Sequence, residues 1–474
     1  METRSDRSLT VHSLSVPGST HTYGSTILSL DKALTSPHTQ NTGREVMLNS
    51  ARRVIALLIV PAALLAFCFQ DHAQADWTKA KTSVTNSSRF HSIAVHNGTV
   101  FIGFAHSDQA KVSITNSTNG SDWSGPTEIV QDSGTGLSLA LNSTGLPHLS
   151  YGGTNTTNAT KLAYQNGTTE IVDEQGFSHL STSLEFDAQD QPHVSYYQLN
   201  STKNRVRYAM RNETGKWEKE NVSNANERYT SMTIDNKTSP HVVYIGDEKH
   251  LYHAYKYNSS WKSELIDDTS SFRRNDIAVD NEAAVHLSYF DYTNKELRYT
   301  LLSDDISYII DYTNDDSPIG KYNSLAVDSD NNPHIAYSGQ NGAELKYAYY
   351  NGTDWKRMTI DSNATWDIST SLVLQEQEND PGIPHISYHT QNGTLKYATN
   401  ENFYSDVQNS PSEDPDKISL PTNSDSNDDG GGNGGGGGGG GGGCTMSPEV
   451  SFGAGWLLLL LVPLMALRLR RTRQ

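Results

Sequence analysis

Short apolar runs, four to a unit, recur through the middle of the chain between clusters of Asn, Asp, Gly, Ser and Thr. Alternation with a period of two, bounded by such turn formers, predicts strands and tight turns rather than helices. One unit reads Ser324-Leu-Ala-Val-Asp328, Pro333-His334-Ile-Ala-Tyr337, Leu345-Lys-Tyr347-Ala348 and Trp355 to Asp361. Its Pro-His-apolar-small-Tyr segment marks the repeat at His148, His193, His241, His286, His334 and His385, with Val285 standing for the proline at His286. These histidines step by 45, 48, 45, 48 and 51 residues. A degenerate first copy, Val100 to Phe104, has neither Pro nor His.

Four strands in a unit of this length make the blade of a β-propeller, and seven units predict an all-β, seven-bladed ring over residues 76–405. Small residues in the first segment, as in Ser324-Leu-Ala-Val, suit the crowded axis, and Tyr337 and Tyr347 suit the wider gaps further out. The last copy ends at Leu395-Lys-Tyr397-Ala398 without its Trp strand. That strand is found at the other end, in Trp77 to Val84, so the amino-terminal strand is expected to complete the seventh blade and remove the two open edges.

Composition changes sharply outside the repeats. Residues 1–46 are rich in Ser, Thr and His and read as a disordered leader or a mis-assigned start. Residues 47–75 carry Arg52 and Arg53, an apolar run from Val54 to Phe69 and Ala73-Gln-Ala75, which is the order of a signal peptide cleaved after Ala75. Residues 406–443 are acidic and then almost pure glycine, a linker that cannot bury a core. Cys444, an apolar stretch from Phe452 to Leu467 and the cluster Arg468, Arg470, Arg471 and Arg473 follow, which predicts a membrane segment with its basic end in the cytoplasm and the propeller outside.

The chain carries 36 basic and 54 acidic side chains, a net charge of -18, and about -22 remains between residues 76 and 443. Such a surface repels nucleic acid, which is not expected as a partner. No cysteine lies between residues 76 and 443, so packing rather than disulfides must hold the fold.

The recurring histidine shares one strand face with the following Ser or Ala, while Ile and Tyr take the other. Its expected role is structural, as a buried neutral imidazole bridging blades by hydrogen bonds, because seven-fold spacing keeps four imidazoles from tetrahedral distance. Carboxylate-rich turns such as Asp328-Ser-Asp330-Asn-Asn332 and Asp187-Ala-Gln-Asp190 leave calcium open, although the EF-hand Gly and terminal Glu are missing and tight turns use the same residues. No other cofactor and no metal ligand set is expected.

Several loops before the fourth segment end in Trp: Asn119-Gly-Ser-Asp122-Trp123, Asn351-Gly-Thr-Asp354-Trp355 and Asn258-Ser-Ser-Trp261. Here the chain resembles the sialidase-type propellers with bacterial-neuraminidase repeats, whose Asp-box turn precedes a Trp at this place; the match departs at the Asp and Thr positions. The resemblance implies a structural turn. The family's Arg-Ile-Pro landmark is absent, and Arg205, Arg207, Arg273, Arg298 and Arg357 fall at mixed repeat positions, so no catalytic residue carries over. The last thirty or so residues, Gly-Gly-Cys444 followed by an apolar helix and Arg cluster, resemble Gram-negative tripartite sorting signals, which implies a sorting protease and processing or lipidation at Cys444. The expected role is a surface-tethered binding or adhesion module for a glycan or protein ligand. The alternative is a sialidase-like or polysaccharide-lyase enzyme.

Overall fold

The computed structural model describes residues 77–107, 111–132, 134–153, 159–174, 181–198, 204–223, 229–268, 272–304, 306–314, 317–362, 369–377, 380–390 and 392–404. The leader, Ala75, the acidic and glycine-rich linker, Cys444 and the carboxy-terminal apolar stretch lie outside them. Among the described residues no helix is long and apolar enough to cross a membrane.

Seven antiparallel four-stranded sheets account for every strand among the described residues. The inner strands of blades 1 to 7 are Ser87–His96, Thr135–Leu141, Thr182–Phe186, Thr230–Ile234, Phe272–Val279, Asn323–Val327 and Ser369–Gln377. Each packs beside the next, and the seventh returns to the first, closing the ring. Blades 1 to 6 run inner to outer in chain order. Blade 7 takes its outer strand from the amino-terminal segment, with Thr78 opposite Thr399 and Lys81 opposite Lys396. The seven-bladed architecture and its closing strand are therefore as the repeat pattern requires.

The core is divided in the same way. Seven apolar clusters lie one at each junction between neighbouring blades, since both faces of a blade must be covered. Tyr196, Tyr289, Tyr337 and Tyr388 of the second strands, and Tyr347 and Tyr397 of the third, are fully buried there. The degenerate first copy keeps the fold by local substitution. A Cβ at Gly103 would come within 2.5 Å of Leu149 in blade 2, so the bulk of that junction is supplied from the other side.

Strand direction defines two faces. Inner and third strands run from an upper face to a lower one, and second and outer strands run back. The Asp-led turns between first and second strands sit below. So do both ends of the ring: Thr78 pairs with Thr399, and Phe403 packs against Trp77 at 6.1 Å between ring centroids. Tyr404 continues this anchor, its hydroxyl donating to Asp328 and lying 3.0 Å from His334 Nε2 in blade 6.

Candidate functional sites

The recurring histidines are tied to their own blades. In blade 3, His193 Nε2 faces Asp187 Oδ2 at 3.2 Å and Nδ1 meets the Tyr208 hydroxyl at 2.6 Å. His286 repeats this with Asp280 and Tyr299, and His334 with Asp328 and Tyr347. His385 keeps only its tyrosine, Tyr397, at 2.5 Å, and its Nε2 is buried without a hydrogen-bond partner. His241 instead meets His253 at 3.0 Å, and His148 Nδ1 donates to the Leu146 carbonyl oxygen. Burial holds His148, His193, His241 and His286 below the ordinary imidazole range and pulls His385 down to about 4.

These bonds stay within a blade and do not cross to the next, because Asp, His and Tyr come from its turn, second strand and third strand. The tyrosine carries the contact across. Tyr208, Tyr299, Tyr347 and Tyr397 each receive the edge of a tryptophan from the following blade, Trp261, Trp355, Trp77 and Trp123, with ring centroids 4.9 to 5.3 Å apart. Thus the histidine orients the ring on which the next blade packs. The Trp turn follows the same logic: Asn119 Oδ1 accepts the Ser121 and Asp122 N–H groups, and Trp123 Nε1 donates to the Gly120 carbonyl oxygen.

A second repeated link was not read from the sequence. The aspartate closing one blade's outer strand accepts from a tyrosine and a cation of the next: Asp173 from Tyr196 and Arg207, Asp311 from Tyr337, Lys346 and Arg357, and Asp361 from Tyr388 and Lys396. Three-residue covariation of Asp, Tyr and Lys or Arg at fixed repeat offsets is its signal. Arg298 pairs with Glu296 at 2.6 Å, and Arg205 reaches Asn221 at 3.5 Å. Arg207, Arg298 and Arg357 are thus engaged separately, in blades 3, 5 and 6. The turn carboxylates are similarly occupied: Asp328 Oδ1 accepts the N–H groups of Asp330 and Asn332, and Asp187 Oδ1 those of Gln189 and Gln191. Among the described residues no group of three or more His, Cys, Asp or Glu could hold a metal ion.

The axis encloses a cavity of about 490 Å³ lined by the inner strands, with Arg89, Phe90, Tyr229 and Tyr322 toward its upper mouth. One inner-strand position is Ser92, Ser138, Ser183, Ser231, Ser324 and Ser371 in six blades and Asp276 in blade 5. These side chains stitch neighbours together. Ser138 accepts from Leu184 N–H, Ser183 from Met232 N–H, Ser324 from Leu372 N–H and Ser371 from Ile93 N–H. Asp276 does this for blade 6, accepting Leu325 N–H at 2.9 Å and Ser324 Oγ at 3.1 Å, and it also takes the Ser231 hydroxyl of blade 4 at 2.7 Å.

Two residues further along the inner strand, blade 3 carries Glu185 where the other blades have Ala94, Ala140, Thr233, Ala278, Ala326 and Val373. Burial first, and the Asp276 charge second, push the Glu185 carboxyl up to about 7. Burial also raises Asp276, despite the hydrogen bonds that favour its charged form. The channel therefore holds two carboxyl groups with dissimilar surroundings, at positions where the repeat elsewhere uses small or hydroxyl side chains.

On the upper face, blade 5 departs from the repeat again. Tyr292 follows the second strand Val285–Asp291 and is 46% exposed, and Tyr312 follows the outer strand Ile306–Asp311 and is 49% exposed. Corresponding positions hold Asp247, Gln340 and Gln391 in blades 4, 6 and 7, and Glu174, Asp268 and Ser362 in blades 2, 4 and 6.

No protein-family model matches the chain, and no curated protein matches it. Solved structures that it is similar to include a polysaccharide lyase of family PL25, an ulvan lyase, at 11% identity and TM-score 0.46, covering 70% of this chain and 99% of that one. A fucose-specific lectin from Aleuria aurantia is 11% identical with TM-score 0.41, covering 59% and 98%. A BBS1N domain, solved in complex with ARL6DN, is 10% identical with TM-score 0.45, covering 68% and 97%. At such identities the likeness is one of fold. The molecule is defined by its own geometry as a seven-bladed propeller whose repeated polar residues are engaged in holding the blades together.

Proposed function

We propose that the protein is an exported, surface-tethered module that binds a glycan or protein ligand with its upper face. The observation that supports this reading is the placement of both ends of the described ring on the lower face, where Thr78 pairs with Thr399 and Tyr404 reaches Asp328. The joins between outer and inner strands, and between second and third strands, lie on the opposite, upper face. Connections on a rigid scaffold are where binding residues are ordinarily mounted. The histidines, tyrosines and aspartates that tempt a catalytic reading are engaged with one another inside and between blades.

Two measurements test this. Intact cells treated with a membrane-impermeant amine reagent should label the protein, and Cys444→Ala should change its membrane retention. Protection from the reagent would overturn the surface reading. The purified full chain, passed over arrays of glycans and of extracellular proteins, should retain ligand by the upper face; retention unaffected by substitutions there would overturn the assignment of the face.

A second reading has one observation in its favour. Glu185 and Asp276 form a carboxyl pair inside a cavity, one of them held near neutrality, as a general acid of a carbohydrate-active enzyme requires. Release of products from polysaccharide by the full chain, abolished in Glu185→Gln, would establish it. Turnover that survives the substitution would remove the pair from consideration.

A further inference from the structure

We infer that the ligand is a neutral glycan and that blade 5 stacks its sugar rings on Tyr292 and Tyr312. This rests on the binding-module reading and specifies its site. Blade 5 holds two exposed tyrosines on the upper face, and the third strongly exposed tyrosine, Tyr257, lies on the opposite side, in the lower turn between the third and outer strands of blade 4. Second and fourth strands of a blade stand two strand spacings apart, roughly 10 Å. That separation places the rings as two platforms for alternate sugar units of one chain.

Both rings sit on backbone that is already fixed. Asp291 Oδ1 accepts the N–H groups of Thr293 and Asn294 at 2.8 and 3.0 Å, closing a tight turn, and Tyr292 packs edge-on against buried Phe290 at 6.3 Å. The Tyr312 N–H donates to Asp311 Oδ1, and Asp311 is itself held by Tyr337, Lys346 and Arg357 of blade 6. Rings mounted this way lose little freedom on binding, which favours affinity from a small contact. A tyrosine combines an apolar face with a polar edge, which matches the apolar face and hydroxyl rim of a pyranose.

The neighbouring chemistry selects among sugars. Thr293, Asn294 and Asn314 are exposed beside the two rings and carry neutral hydroxyl and amide groups, the Asn294 amide donating to Asp291 Oδ2 at 2.7 Å. Residues 76–443 carry a net charge of about -22, which opposes approach of a polyanion, sialylated or uronic. Stacking and neutral hydrogen bonding remain, and both suit an uncharged hexose or pentose polymer.

The test is affinity electrophoresis of the full chain through gels containing gluco-, manno-, galacto- or xylo-configured neutral polysaccharide, with a polyuronate gel beside them. The wild type should be retarded by at least one neutral polymer, and Tyr292→Ala with Tyr312→Ala should raise its dissociation constant roughly tenfold or more, the size expected for losing a central aromatic anchor. Tyr257→Ala should remain within about twofold, as a residue outside the contact does. Retardation undiminished in the double variant would overturn the blade 5 site while leaving a glycan-binding module in place. Retardation by the polyuronate alone would overturn the neutral-glycan assignment. Capture of an extracellular protein with no retardation in any gel would overturn this inference and leave the binding-module reading standing.

Discussion

Replacing Glu185 by glutamine removes the one acidic side chain at its level of the channel with little change of shape. The wild-type carboxyl rises from its ordinary 4.5 to about 7 on folding, chiefly through burial and then through Asp276. The folded state therefore keeps a proton that the unfolded chain has released, between pH 4.5 and 7. Stability falls as pH rises through that window and levels off above it. At about 1.36 kcal/mol for each pH unit, the cost at pH 8 is about 3 kcal/mol. For a ring of roughly 330 residues, with an unfolding entropy of about 2.1 cal/mol/K per residue, this corresponds to about 5 °C in melting temperature. Calorimetric melts of wild type and Glu185→Gln from pH 4.5 to 8.5 should show a gap that widens toward pH 7 in favour of the variant and then stays constant. In an Asp276→Ser background the same gap should level off at lower pH and at a smaller value, since one of the two causes of the shift is gone. Parallel melting curves across the range would refute the claim that this carboxyl is held near neutrality.

Three further substitutions probe the links between blades. Both amide atoms of Asn275 are buried without partners, and blade 4 offers Val243 where Ser288 of blade 5 bonds Asn323; Val243→Thr, which keeps the volume and adds a hydroxyl, should raise stability by about 1 kcal/mol in urea melts. His286→Phe retains bulk but leaves Asp280 and the Tyr299 hydroxyl without the imidazole, and a loss of about 1–3 kcal/mol is expected in the same melts. Deleting residues 76–84 removes the outer strand of blade 7 and the Trp77 contact with Tyr347 at 5.1 Å, so the melting temperature should fall by more than in Trp77→Ala, itself about 3 kcal/mol; an unchanged melt would contradict closure by this strand.

Period and turn chemistry made the ring legible because each blade repeats the same burial problem. Trp77 was recognisable as a missing fourth strand for this reason, being one more copy of Trp261 and Trp355. Partners were less legible. The face shared by His334 and Ala336 follows from strand alternation, yet whether the imidazole reaches its own blade or the next depends on depth. Its bonds go to Asp328 and Tyr347 of its own blade and to Tyr404 beyond blade 7, while the Trp77 ring packs on Tyr347 from the next blade. Likewise Asp361 stands in the sequence only as the last residue of a fourth segment, and the packed ring brings it to Tyr388 and Lys396 of the following blade. Glu185 and Asp276 stand in the written sequence as ordinary acids. Their distinction appears once seven inner strands are aligned by register and the other blades show Ala, Thr or Val, and Ser.

Repetition also separates scaffold from site. A side chain present in most blades must satisfy a need that every blade has, and the structure identifies those needs as orienting a tyrosine, bridging a junction and pinning an inner strand. Function directed at one ligand has no such seven-fold need and is free to break the pattern. Blade 5 breaks it three times, at Asp276 in the channel and at Tyr292 and Tyr312 on the upper face. The Asp276 departure is absorbed by the scaffold, since its carboxylate takes over the bond to Leu325 N–H that serine supplies elsewhere. Each of the two tyrosines exposes nearly half its surface, and Asp291 and Asp311 hold the backbone at their strand ends. An exposed aromatic pair that breaks the repeat, on the face opposite the ends of the described ring, is where this ring has room to meet something else.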